Sequence, residues 1–166
     1  MAKTADSKNL AISLSIIALL FTILSISVRD AHYSSSFGFF SRTVSFYYWG
    51  TIVNFGNSAS TSYWWSSNSN FSSDTVNYMV AAFSTSLLTL FATAASALLI
   101  IFGYKSGGRT SLFIGGLGAI GTLVLFYEGL VSIFSNASNA SYSMDLGYFL
   151  TFGALICCFA GVATFK

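Results

Sequence analysis

Proline is absent from this chain, histidine occurs once, at His32, and cysteine occurs only as the neighbours Cys157 and Cys158. Each scarcity closes a class of chemistry. One histidine rules out a haem held by two histidines, a histidine-rich copper site and a three-histidine zinc site within this chain. His32 falls just beyond the first apolar run, where an imidazole needs no ligand to explain it. Adjacent helical residues point about 100° apart, so the two thiols suit neither a metal clamp nor a bridge between helices and read as buried small hydrophobes. No Ser–His–Asp triad assembles convincingly around one histidine. The glycine-rich Gly115-Gly116-Leu117-Gly118 lies inside an apolar run rather than after a strand, so it is no P-loop. Asp30, Asp74 and Asp145 are dispersed along the chain, which leaves no paired carboxylates for acid–base work. The expectation is a non-enzymatic chain with no cofactor and no bound metal.

Charge is scarce as well. Charged residues make up 7% of the chain, against about 25% in a soluble domain. The net charge of +2 is scattered over separate segments, with Lys3, Lys8, Lys105, Arg109 and Lys166 far apart, so no nucleic-acid surface forms.

What the chain has instead is apolar length. Four runs, residues 10–28, 79–103, 111–134 and 146–165, occupy about half of it. A bilayer crossing needs roughly 20 mostly apolar residues, and all four meet that requirement. The predicted fold class is an all-α membrane protein, a four-transmembrane-helix bundle forming one integral membrane domain over residues 1–166. Without proline the helices should be continuous, although Gly115, Gly116, Gly118 and Gly121 could loosen the third.

Lys3 and Lys8 before an apolar run, with Ser25-Ile26-Ser27 after it, imitate a secretory signal. The run is longer than a signal core, so it reads as a retained first helix. With both termini on one side, that face carries Lys3, Lys8, Lys105, Arg109 and Lys166, and the other face only Arg29 and Arg42. The positive-inside bias predicts cytoplasmic termini, a cytoplasmic turn at 104–110 and an extracellular loop over 29–78 in a multi-pass cell-membrane protein.

That loop is crowded with aromatic residues, which a solvated linker would not carry. Residues 43–55 are dense in β-branched and aromatic side chains, and 60–65 form a second short run. Gly50 or Gly56 can supply a turn. The segment is predicted to fold as a small, aromatic-rich antiparallel β cap between helices 1 and 2. Asp74 is placed to cap the second helix, Gly107-Gly108 to turn the chain between the second and third, and 135–145 to join the last two helices as a polar turn.

Small residues mark where helices approach. In the fourth helix Gly153, Cys157 and Gly161 recur every four residues; in the third, Ser111, Gly115 and Ala119 form one stripe and Gly118 with Thr122 another. The second offers the block 92–97. These read as close-packing seams within the bundle. Glu128 is the one ionisable side chain inside a span, in the outer half of the third helix beside Tyr127. Such a carboxylate is a candidate functional group that could relay protons or hold a cation, or a structural group reaching for water. Candidate glycosylation sequons begin at Asn70, Asn136 and Asn139, all on the predicted outer face.

Four helices, inner termini and a β-like first outer loop resemble the claudin and tetraspanin layouts, with Tyr48-Trp49-Gly50 as the local echo. The resemblance is one of layout, since those families rely on outer-loop cysteines that this chain lacks. It implies an envelope or cell-contact protein that self-associates laterally. The reading put first is a structural or accessory subunit of a larger membrane complex, such as a respiratory-type assembly; a third is a small proton or cation conductor using Glu128. Expected partners are the lipid bilayer and other membrane subunits or copies of the chain. The outer segment relies on Ser, Thr, Asn and Tyr for hydrogen bonding, groups that keep their form from acid to neutral pH, as an acidophilic archaeal envelope would require.

Overall fold

The computed structural model describes residues 2–37, 40–55, 61–65, 71–135 and 142–165. In chain order the elements are α1 (Ala2–Ser27), β1 (Ala31–Phe37), β2 (Phe40–Tyr47), β3 (Gly50–Phe55), β4 (Thr61–Trp64), α2 (Ser73–Ile101), α3 (Lys105–Phe134), β5 (Tyr142–Met144) and α4 (Leu146–Thr164). All four helices are long and apolar enough to cross a membrane. They form a ring in which α1 touches α2 and α4, and α3 touches the same two. The sheet stands at the end where α1 and α3 finish and α2 and α4 begin. At the far end Ser7, Lys8, Lys105, Thr164 and Phe165 come together, so the first and last helical turns share one end of the bundle.

The helices start and stop for local reasons, some of which differ from the sequence expectations. Ser72, not Asp74, caps α2, its Oγ accepting from the Thr75 N–H at 3.2 Å. A hydroxyl one residue before the helix reaches that donor, whereas Asp74 already lies in the first turn. The reversal between α2 and α3 belongs to Gly103, at φ +92°, a conformation costly for any residue with a Cβ. Gly107 and Gly108 are already helical, and their lack of side chains lets Leu99 and Ile100 close on them. No break interrupts the helical ladder at the glycines of α3.

Between α2 and α3 the contact is hydroxyl against glycine. A Cβ at Gly118 would stand 2.6 Å from Thr89 Oγ1, and one at Gly121 3.2 Å from Thr85 Cγ2. Thr89 Oγ1 donates to the Gly115 carbonyl at 3.3 Å, Ser96 Oγ to the Gly108 carbonyl at 2.8 Å, and Thr122 Oγ1 to Thr85 Oγ1 at 3.0 Å. Lipid gives helices little hydrophobic reason to associate, so backbone approach and interhelical hydrogen bonds hold this pair. Most hydroxyls also bond a carbonyl one turn back, as Thr93 does to Thr89 at 2.9 Å, and none of these needs water.

The sheet has five antiparallel strands in the order β4-β3-β2-β1-β5. The β character expected for the loop between the first two helices is present, but the sheet also draws on the segment between α3 and α4. There β5 pairs with β1 in the register Ala31↔Met144, His32↔Ser143 and Tyr33↔Tyr142. That segment reads as a polar turn because a three-residue strand lacks enough alternation to show a period. Strands β2 and β3 join through the two residues Tyr48 and Trp49, and Gly50 opens β3 where a Cβ would strike the Tyr63 carbonyl. Alternate residues Val44, Phe46 and Tyr48 point down and pack with Val53, Trp65, Met79, Phe126 and Leu130. Phe46 and Trp65 stack at 6.4 Å, and Tyr48 meets Phe126 edge-on at 4.9 Å. Each such side chain contributes about 1.5–3 kcal/mol on burial, which fastens the sheet to α2 and α3 without a disulfide.

Candidate functional site

The backbone leaving α1 turns at Asp30, where three chain segments meet. Its N–H donates to the Phe46 carbonyl at 2.9 Å, and its carbonyl accepts from the Asp145 N–H at 2.8 Å. Its Oδ2 accepts from the Tyr48 N–H at 2.8 Å. The neighbouring Arg29 carbonyl accepts from the Gly147 N–H at 3.0 Å. Asp30 is fully buried, and its Oδ1 has no hydrogen-bond partner. That oxygen lies against Gly147 in the first turn of α4, where a Cβ would collide with it. Burial pushes the Asp30 carboxyl well above the usual carboxylate range; the Tyr48 N–H opposes this, and the charge of Asp145 adds to it.

Around this buried acid stands a more exposed cluster. Asp145 Oδ2 receives Arg29 Nε at 2.7 Å and His32 Nδ1 at 2.8 Å, and its Oδ1 lies 3.4 Å from Arg29 Nη2. Asp145 precedes α4 as its N-cap residue but makes no side-chain cap bond, because its carboxylate turns to Arg29 and His32 instead. Asp30 and Asp145, dispersed in sequence, are thus neighbours here, and His32 has a specific partner. An Asp–His pair is also the basic half of a hydrolytic triad. The cross-strand neighbours of His32 are Ser45 and Ser143, and among the described residues the imidazole bonds to neither. What the arrangement does is clasp β1 to the start of α4. Tyr48 completes the clasp, its hydroxyl sharing a 2.8 Å hydrogen bond with Thr151 Oγ1.

Glu128 occupies a different place. It lies on the outward stripe of α3 with Val124, Tyr127 and Val131, exposed rather than turned into the bundle. With Tyr127, Tyr148 and Phe152 it lines a cleft between α3 and α4. Among the described residues it has neither an ion pair nor a hydrogen bond.

The small residues singled out in sequence divide by partner. Gly115 and Ala119 are buried, Gly115 facing Thr93, Ala92 and Cys158. Gly153 faces Phe21 of α1, and Gly161 faces Leu112 of α3 and Leu14 of α1. Cys157 is half-buried beside Cys158, which is buried with Ala18 and Leu112; both are free thiols. The inward stripe of α4 runs Gly147, Thr151, Ala154, Cys158 and Gly161, so Cys157 stands beside this stripe rather than on it. Asn70, Asn136 and Asn139 lie outside the described residues. Sequence reasoning missed the clasp; its one signal was the position of Arg29-Asp30 just after the first span and Asp145 just before the fourth, which meet only when α1 and α4 are neighbours.

No family model matches the chain, and no curated protein matches it.

Proposed function

We propose that this chain is a non-catalytic integral membrane protein, a structural or accessory subunit of a larger membrane assembly. The observation that carries the reading is the clasped sheet. A five-stranded platform is fixed to the bundle on one flank by its aromatic core and on the other by Asp30, Asp145 and Tyr48. A rigid platform loses little conformational entropy when a partner settles on it, which suits it to assembly. The residues of the clasp hold strands and helices rather than lining a substrate-sized cavity. In this reading both termini face the cytoplasm, the sheet faces outward, and Asn70, Asn136 and Asn139 are available for glycosylation.

A second reading, lateral self-association in the claudin-like manner, is favoured by the sheet edges. Among the described residues β4 and β5 each have one side without a strand partner, and Trp64 at the β4 edge, packed against Trp49 and Phe83, is still 57% exposed. As for conduction, Glu128 stands on the outside of α3, so a proton path through the middle of one bundle would not meet it.

Native mass spectrometry of gently extracted protein separates these readings. Bound subunits of other mass in fixed ratio are the expected result. A ladder of identical copies would favour self-association, and a bare monomer that carries proton current in liposomes would overturn the first reading.

A further inference from the structure

The outward faces of α3 and α4 meet in a cleft of about 390 Å³ that opens along the side of the bundle. Its lining is graded by depth. At 1.5 Å per helical residue, Tyr148 lies about 3 Å and Glu128 about 9 Å below the sheet-side ends of their helices. Leu155 and Ile120 lie about 14 Å and about 21 Å down. A carboxylate and the phenols of Tyr127 and Tyr148 therefore stand near headgroup depth, and an aliphatic trough continues toward the middle of the apolar run, with Phe152 between. This gradient has the shape of an amphiphile.

The charge at the top is unbalanced. Glu128 has no ion pair or hydrogen bond among the described residues, and a carboxylate left without a partner at the edge of the hydrocarbon is unfavourable. Among the described residues no basic side chain pairs with Glu128: Lys8, Lys105 and Arg109 lie toward the far end of their helices, Arg29 is held by Asp145, and Arg42 stands on β2 of the sheet. For the same reason a second copy would bring no complementary charge from its helices to this level.

We propose that the cleft binds an amphiphile with an ammonium head. The cation sits beside the Glu128 carboxylate and the rings of Tyr127 and Tyr148, where ion pairing and cation–π attraction add. The alkyl chain lies in the trough below, toward Ile120 and Leu155. A volume of about 390 Å³ falls in the range that accommodates one small ligand. An uncharged head would leave the carboxylate unpaired, and an anionic head would be repelled.

The test uses the purified full chain in a neutral maltoside detergent, titrated with dodecyltrimethylammonium, dodecanol or dodecyl sulfate, with bound molecules counted by native mass spectrometry. The expected result is one ammonium per chain, bound about tenfold more tightly than dodecanol, with Glu128→Gln removing that preference. Glu128 is exposed, so the variant should keep its helicity, which circular dichroism checks. Val124→Trp, which fills the trough and leaves the carboxylate intact, should weaken ammonium binding too. Equal affinity for all three amphiphiles, or binding unchanged in both variants, would overturn the proposal. So would a crosslink in native membranes from Val124→Cys to a second polypeptide, since the cleft would then be covered by protein.

Discussion

Asp30 concentrates more constraint than any other side chain described, because its carboxylate is buried with one oxygen bonded and one not. Its proton is held more tightly in the folded chain than in the unfolded one. The associated stability is therefore fully present below the unfolded carboxylate value of about 3.9 and is lost as pH rises through the raised folded value. Asp30→Asn keeps an acceptor for the Tyr48 N–H and cannot titrate. Its melting temperature relative to the parent should rise between pH 3 and pH 7, and a difference independent of pH would refute the assignment. Gly147 is the matching position across the contact. Gly147→Ala drives a methyl into the Asp30 carboxylate and should destabilise by about 1–3 kcal/mol, read from thermal unfolding in detergent.

Among the elements, α2 and α3 test what holds helices together in lipid. Thr89 contributes one interhelical hydrogen bond, to the Gly115 carbonyl, while Gly118 gives Thr89 room to approach. Thr89→Val removes the bond and keeps the shape, at a cost of about 0.6 kcal/mol. Gly118→Leu forces the backbones apart and should cost several times as much, as overpacking of a close contact does. Comparable losses in the two variants would mean that hydrogen bonding rather than close approach dominates this interface. The small-residue stripes of α3 were legible in sequence because period and composition agree there. Which stripe faced which helix was not, since Gly153 meets α1 whereas Gly161, on the same helix, meets α3 as well.

For the whole molecule, the proposal places the two ends of the bundle on opposite sides of a membrane. Ser106 and Ser143 are exposed at opposite ends. Single cysteines introduced there should react with an impermeant maleimide from opposite faces of sealed vesicles, with Ser106→Cys labelled from the cytoplasmic side. Labelling of both from one face would refute the topology. The native thiols Cys157 and Cys158 lie within α4 and should stay silent.

The four helices and the β character of the first loop were determined by the sequence itself, because apolar length and aromatic, β-branched density are properties of contiguous residues. Gly50, one of the two glycines expected to supply a turn, opens β3 directly after the Tyr48-Trp49 turn. The clasp and the cleft were decided only by tertiary structure. Arg29, Asp30 and His32 meet Asp145 because α1 and α4 are neighbours in the ring, and β5 joins the sheet only because that adjacency brings it beside β1. Glu128 faced either the interior or the lipid with equal local logic. The buried stripe of α3 decided it: Leu112, Gly115, Ala119, Leu123, Phe126 and Leu130 pack inward, and Glu128 falls off that stripe, outward into the cleft beside Tyr148.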